Sequence, residues 1–164
     1  IKNILAICWG MQVAVTAAGG VVNRGKNGAH RGIAHEIVIN SDGLNHPIYK
    51  DKNKIFNTPA FNYDEVVTLP KDAILLSSNK VNNVMALNFE TEFSKIWGIQ
   101  YHPEITYEKM ITLIKFRRER LLQNKSFSDE KDLESHISMI EKEDKITKKE
   151  SRMRELKNWL DLIA

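Results

Sequence analysis

The residue types best suited to covalent chemistry lie in two short segments of this chain. Cys8, the only cysteine, follows an apolar run in residues 4–8, and a second apolar run, residues 96–101, leads into His102 and Glu104. A thiol becomes a strong nucleophile when a base takes its proton, and that base needs a third group to fix its tautomer. The three side chains therefore form a candidate Cys-His-Glu triad.

Cys8 is expected on a sharp turn between a strand and a helix. Residues 4–8 are continuously apolar, as in a strand buried on both faces, and residues 11–18 are good helix formers. Strand, nucleophile, one residue, glycine and helix is the order of a nucleophile elbow. We expect Gly10 to leave room for the helix packed behind the turn, and the helix N-terminus to favour a thiolate. The alternative is a buried structural cysteine, because free cysteine often packs as a small hydrophobe.

The second segment predicts a base and its orienting partner at another strand end. Pro103 cannot donate to a sheet ladder and so ends the strand. Glu104 can reach back to His102 and hold one ring nitrogen protonated, which leaves the other nitrogen free to face a thiol. A lone histidine at a strand end is more often a structural residue, so the prediction of a triad depends on both segments together.

The segments Ala-Ile-Cys-Trp-Gly-Met-Gln and Gly-Ile-Gln-Tyr-His-Pro-Glu resemble the two signatures of class I glutamine amidotransferases, the triad-type glutaminase domains. Within that class the chain is most similar to the glutaminase domain of GMP synthase and to its stand-alone, GMP-synthase-like relatives. The resemblance covers residues 1–124 and implies an α/β fold of the flavodoxin-like type, incomplete at its N-terminus. Residues 125–164 resemble the helical C-terminal extension of one stand-alone branch.

The resemblance implies a catalytic role for three residues. Cys8 would attack the side-chain amide of L-glutamine and form a γ-glutamyl thioester. His102 would act as general base and acid, and Glu104 would orient it. A thiol–imidazole pair suits this substrate, because amide nitrogen is a poor leaving group and must be protonated as it departs.

The resemblance also implies three substrate-binding residues. The backbone N–H of Trp9 would donate to the oxyanion, and Gln12 would contact the bound glutamine. Asn62 occupies a position where relatives usually carry a histidine lining the glutamine site, so we expect its side-chain contacts to differ from theirs.

The start of the sequence predicts that the domain is incomplete. Ile1 falls partway into the first predicted strand. The class takes its second oxyanion donor from a glycine-containing loop upstream of the elbow, and residues 1–5 do not supply it. We therefore expect an N-terminal portion of the domain to be missing from this sequence.

These features predict a glutaminase-type domain that releases ammonia to an unknown acceptor. No P-loop pattern is present, so an ammonia-accepting synthetase would be a separate protein. Two alternatives stay open: a truncated, inactive remnant or interaction module, and a hydrolase of γ-glutamyl amides or peptides. No cofactor is expected, and no metal site, because the other four histidines show no ligand spacing: His30, His35, His46 and His136.

Composition narrows the function classes further. The net charge of +3 in 164 residues is too balanced to indicate nucleic acid, and no apolar run is long enough to span a membrane. A single cysteine suits a reducing cytoplasm, where we expect the protein to act. The sequence leaves open whether the chain forms a homo-oligomer.

The charged C-terminal segment predicts two amphipathic helices that pack on the body of the protein or on a partner. Leu133, Ile137 and Ile140 form one stripe at helical spacing. The second stripe consists of Met153, Leu156, Leu160 and Ile163.

Overall fold

The computed structural model describes residues 1–164. Strands predominate up to residue 99, and from residue 107 onward all elements are helices. The strands are β1 (Lys2–Ile7), β2 (Val21–Arg24), β3 (His30–Arg31), β4 (Ala34–Ile39), β5 (Ile55–Thr58), β6 (Phe61–Asn62), β7 (Asp64–Thr68), β8 (Ile74–Ser78), β9 (Ala86–Glu90) and β10 (Ser94–Ile99). The helices are α1 (Trp9–Ala17), α2 (Ser41–Leu44), α3 (Tyr107–Phe116), α4 (Arg118–Gln123), α5 (Glu130–Ile146), α6 (Lys149–Arg152) and α7 (Arg154–Ile163). None of these helices could cross a bilayer.

One six-stranded mixed sheet organises the molecule, with the order β1-β10-β9-β8-β4-β5. Only β1 and β10 are parallel, and their register pairs Ile7 with Ile99. Parallel strands end at the same edge of a sheet, so the residues that follow these two strands, Cys8 and Gln100, meet there. Two small antiparallel ribbons, β2–β7 and β3–β6, lie outside this sheet.

Most predicted elements are present, and the differences have local causes. The strand and helix around Cys8 are confirmed. The helix ends at Ala17, and Gly19 follows two residues later with a φ of +85°, which suits a residue without a Cβ. Residues 23–32, which are rich in glycine and polar side chains, nevertheless contain β3 and the end of β2. β7 was not predicted, because it begins with two acidic residues of low strand propensity.

Two apolar clusters cover the two faces of the sheet. The first lies between the sheet and α1 and includes Met11, Val15, Leu87 and Ile96. The second lies on the opposite face, where a 3-10 turn at Pro47–Tyr49 contributes to it. A third cluster joins α3 and α4 to α5 and contains the predicted stripe of Leu133, Ile137 and Ile140. The first tail helix therefore packs on the body, as predicted.

The last two helices bury polar residues on a face beside the predicted apolar stripe, of which Met153 and Leu156 are only half-buried. Arg152, Glu155 and Asn158, spaced three residues apart, are at most 8% exposed. Leu160 and Ile163, by contrast, are 55% and 44% exposed. The apolar stripe is therefore not the buried face of this segment. Polar residues are buried instead because each has a hydrogen-bonding partner on the body.

Gly98 on β10 is predicted to be a packing constraint for the fold. A Cβ at Gly98 would lie 2.7 Å from Cγ of Met11, whereas a Cβ at Gly10 would meet no atom within 4 Å. The expectation that Gly10 makes room for the helix is therefore wrong, and the close approach occurs at Gly98. Gly98→Ala should lower the free energy of unfolding in urea by about 1–3 kcal/mol. Gly10→Ala is the matched control, expected to be neutral or slightly stabilising; equal stability of the two variants would contradict this assignment.

The ion pair between Lys52 and Glu155 should show strong coupling, because both side chains are buried. Nζ lies 3.0 Å from Oε2, and the two side chains are 2% and 0% exposed. Glu155→Ala leaves the ammonium without a counter-charge and should cost about 3–5 kcal/mol in thermal or urea unfolding. Combining Lys52→Met with Glu155→Gln should recover most of that loss. A double variant as unstable as the single one would show that the pair is not coupled.

Candidate active site

Cys8 lies on a strained turn between β1 and α1. Its φ of 52° and ψ of −111° are unusual for a residue with a side chain and cost about 1–3 kcal/mol. The turn is fixed on both sides, because the Cys8 N–H donates to the Ile99 carbonyl at 2.7 Å and the Gln12 N–H donates to the Cys8 carbonyl at 3.2 Å. The predicted nucleophile elbow is therefore formed.

The N-terminus of α1 creates a favourable environment for negative charge on the sulfur. The N–H groups in the first turn of a helix, here beginning with Trp9, have no acceptor within the helix. The side chain of Cys8 does not cap them. These donors and the helix dipole stabilise an anion at this end. Trp9 as a whole is 75% exposed, so we assign its contribution to this environment to its backbone N–H.

His102 is held by Glu104 and faces the thiol. Nδ1 of His102 lies 2.6 Å from Oε1 of Glu104. The backbone N–H of His102 donates to the Pro59 carbonyl at 2.8 Å. With Nδ1 engaged, Nε2 is the nitrogen available to Cys8. Burial alone would lower the pKa of His102, but hydrogen bonding and Coulombic attraction from Cys8 and Glu104 outweigh it and raise the pKa to about 9. These contacts therefore favour the protonated, imidazolium form of His102.

Gln100 is a polar residue of the site that the sequence analysis did not single out. It is fully buried, and its Nε2 lies 3.5 Å from Sγ of Cys8. Gln12 donates to Oε1 of Gln100 at 3.1 Å, which turns the Nε2 of Gln100 toward the sulfur. A hydrogen bond to the thiolate favours the ionised form. Its sequence signal was its position in the signature segment that contains His102 and Glu104, although it lies just past the end of β10 at Ile99.

Asn62 lies near the thiol, but other groups hold its side chain. Its neighbour Phe61 has its carbonyl oxygen 4.0 Å from Sγ of Cys8. Oδ1 of Asn62 accepts from Nδ1 of His30 at 2.7 Å, and its Nδ2 donates to Oδ1 of Asn82 at 2.9 Å. Burial lowers the pKa of His30, which keeps that ring neutral inside the network. A contact between Asn62 and a substrate therefore stays a prediction.

The structure thus brings five of the six predicted residues to one sheet edge. Cys8 follows β1, and His102 lies beyond the end of β10, where it is hydrogen-bonded to Glu104. Trp9 begins the adjacent helix, and Gln12 contacts Gln100, the neighbour of the sulfur. Asn62 lies beside them in a separate hydrogen-bonded cluster. No group of three or more histidine, cysteine or acidic residues is arranged to hold a metal ion.

Curated proteins with similar sequences fall into two groups. The γ-glutamyl-L-1-hydroxyisopropylamide hydrolase of Pseudomonas sp is 28% identical over 98% of this chain and 61% of its own length. The glutamine-hydrolysing GMP synthase subunit of Methanosarcina acetivorans is 32% identical over 65% of this chain and 52% of its own length. The chain therefore spans between half and two thirds of the length of these relatives.

A solved structure and a family model agree with the fold described above. The crystal structure of a glutamine amidotransferase from Thermotoga maritima matches 97% of this chain and 61% of its own chain, with a TM-score of 0.68 and 20% identity. This match confirms the predicted α/β fold. The model of the family "Glutamine amidotransferase class-I" matches residues 2–118. Its match ends before the last three helices, and the predicted division at residue 124 stays a prediction. The chain belongs to the class I glutamine amidotransferases.

Proposed function

We propose that this chain carries the Cys8-His102-Glu104 triad of a glutaminase-type domain, which hydrolyses the side-chain amide of L-glutamine and releases ammonia for an acceptor. The observation that carries this proposal is the placement of Cys8 and of the hydrogen-bonded pair of His102 and Glu104 beyond the shared end of β1 and β10. In this arrangement the thiol is the nucleophile, the imidazole is the proton carrier, and the carboxylate holds the imidazole in one tautomer.

Acylation begins when the thiolate of Cys8 attacks the side-chain carbonyl carbon of the γ-glutamyl amide. The carbonyl becomes a tetrahedral oxyanion, to which the backbone N–H of Trp9 would donate one hydrogen bond. As the carbon–nitrogen bond breaks, Nε2 of His102 gives its proton to the leaving nitrogen. For glutamine the products of this step are ammonia and a γ-glutamyl thioester.

Deacylation reverses the proton flow. Nε2 of His102, now neutral, takes a proton from water as the water oxygen attacks the thioester carbon. The carbon–sulfur bond breaks, glutamate leaves, and the thiolate of Cys8 is restored beside an imidazolium. Glu104 stabilises the imidazolium whenever it forms, because its Oε1 lies 2.6 Å from Nδ1.

Gln12 and Asn62 are proposed to act on the substrate side of the site. Gln12 would contact the bound glutamine while its amide also orients Gln100. The side chain of Asn62 is held by His30 and Asn82, so Asn62 would affect the substrate only by fixing the position of its strand. Ammonia would pass to a separate synthetase, as the name of the GMP synthase relatives suggests for those proteins.

A second candidate is the hydrolysis of a larger γ-glutamyl amide without ammonia transfer. The observation that favours it is the extent of the sequence matches. The similarity to the γ-glutamyl-L-1-hydroxyisopropylamide hydrolase runs through 98% of this chain, including the C-terminal helices, whereas the GMP synthase relative matches 65%. The thiol chemistry is the same in both cases, and only the leaving amine differs.

The experiment that separates these candidates measures glutamate release from L-glutamine and from γ-glutamyl N-alkylamides. Comparable or greater kcat/KM for glutamine supports a glutaminase, and a preference of about tenfold or more for the alkylamides supports the second candidate. Cys8→Ala is the control. Wild-type chain that releases no glutamate from any of these amides would overturn the proposal and favour an inactive remnant or interaction module.

The alkylation rate of Cys8 by iodoacetamide should depend on pH through His102. The pKa of His102 is raised from 6.5 to about 9, so the imidazolium persists up to that pH and stabilises the thiolate below it. In His102→Gln the imidazolium is absent, so alkylation below that pH should be slower. At a pH of about 6.5 wild type should react at least about tenfold faster than the variant. The difference should shrink above a pH of about 9; parallel profiles would contradict a thiolate–imidazolium pair.

Removing the charge of Glu104 should lower turnover while leaving the fold intact. Glu104→Gln keeps the side-chain shape but no longer stabilises the imidazolium, so kcat should fall by about 10²-fold or more. Glu108→Gln, on the exposed first turn of α3, is the control and should retain wild-type kcat. Unchanged kcat in Glu104→Gln would show that Glu104 does not contribute to catalysis.

A further inference from the structure

The backbone around Glu104 is held by one buried arginine from the C-terminal extension. Nη1 of Arg152 donates to the carbonyl oxygens of Pro103 and Ile105, the latter at 3.0 Å. These two carbonyls immediately flank Glu104. Arg152 is 8% exposed and has no carboxylate within 4.0 Å, so its donors are used on this backbone instead of on a counter-ion.

The same helical segment also holds the residue that precedes His102. The hydroxyl of Tyr101 donates to Oε1 of Glu155 at 2.8 Å, and the other oxygen of Glu155 pairs with Lys52 at 3.0 Å. Tyr101 is fully buried, and its hydroxyl also meets that of Tyr49 at 2.9 Å. His102 is therefore fixed from both sides in sequence by contacts with the C-terminal helices.

A third contact docks the segment without touching the catalytic loop. Nδ2 of Asn158 donates to the carbonyls of Ile48 and Lys50 at 2.8 and 2.9 Å. Asn158 has the same burial as Arg152 and also binds two backbone carbonyls. The chain thus offers a matched pair of contacts, of which one reaches the catalytic loop and the other does not.

We propose that Arg152 is a positioning residue for the His102–Glu104 pair, so that the C-terminal extension sets the orientation of the catalytic base. Glu104 reaches Nδ1 of His102 only if the backbone between residues 103 and 105 keeps its path. Pro103 has no N–H that could form a hydrogen bond to hold this backbone in place. Arg152 supplies hydrogen bonds to it from the C-terminal extension. The inference rests on the proposed function of His102 as the base.

The test compares Arg152→Met, Arg152→Lys and Asn158→Ala in the full chain. Three quantities are measured: the urea midpoint, kcat and KM for the best amide substrate, and the pH profile of Cys8 alkylation by iodoacetamide. Cys8 is the only cysteine, so alkylation reports on the thiol without interference. This last readout needs no substrate, which separates a failure of the inference from a failure of the proposed function.

Arg152→Met should lower kcat by about tenfold or more with KM within about threefold, because orientation of the base acts on chemistry. Its alkylation rate near neutral pH should fall in parallel, toward that of His102→Gln. Asn158→Ala should leave the alkylation profile and kcat within about twofold of wild type, even where its urea midpoint falls as far. Arg152→Lys, which keeps a charged donor, should lie between wild type and Arg152→Met.

Two results would overturn the inference. One is an equal effect of Arg152→Met and Asn158→Ala on kcat and alkylation, which would reduce Arg152 to a docking contact. The other is wild-type alkylation in Arg152→Lys and Arg152→Met alike. If Arg152→Met does not fold, Arg152→Lys decides between these results. If the wild-type chain hydrolyses no amide but Arg152→Met still shifts the pH profile of alkylation, the proposed substrate is refuted and the positioning role stays supported.

Discussion

The parallel pairing of β1 with β10 is the constraint on which the rest of this site depends. Its register runs from Lys2 with Ser94 to Ile7 with Ile99, and the Cys8 N–H continues it with a bond to the Ile99 carbonyl. A slip of one residue would turn every side chain to the other face of the sheet. The backbone ladder therefore sets the separation of thiol and imidazole, and Gly98 allows α1 to pack close enough to aim its N-terminus at the sulfur.

The C-terminal helices add a second constraint on the same few residues. Their buried polar face reaches the residues on both sides of His102, through Glu155 to Tyr101 and through Arg152 to the backbone around Glu104. A buried arginine or carboxylate is costly unless its geometry is well satisfied, so such contacts specify position more than they add stability. The apolar pattern of this extension predicts packing by apolar contacts. In the structure its polar contacts fix the path of the catalytic loop instead.

The sequence predicted the site best where reactive residue types directly follow a recognisable strand pattern. The elbow at Cys8 and the pair of His102 and Glu104 were predictable, because short motifs at strand ends carry both geometry and residue type. Gln100 was missed, since a glutamine in an apolar strand gives no sign of which neighbour it will meet. The buried face of α7 could not be predicted from hydrophobic period, because its polar residues are satisfied by distant backbone carbonyls and by Lys52.

The most direct test of the proposed chemistry is the detection of a covalent intermediate on Cys8. The chain is mixed with a γ-glutamyl amide, quenched in acid within the first turnover, and analysed by intact-protein and peptide mass spectrometry. We expect a γ-glutamyl group on the peptide that contains Cys8. In a His102→Gln variant acylated by an activated γ-glutamyl ester, that group should persist longer, because the base for deacylation is gone. Amide hydrolysis that proceeds with Cys8 unmodified at every quench time, or that survives Cys8→Ala, would contradict the proposed chemistry.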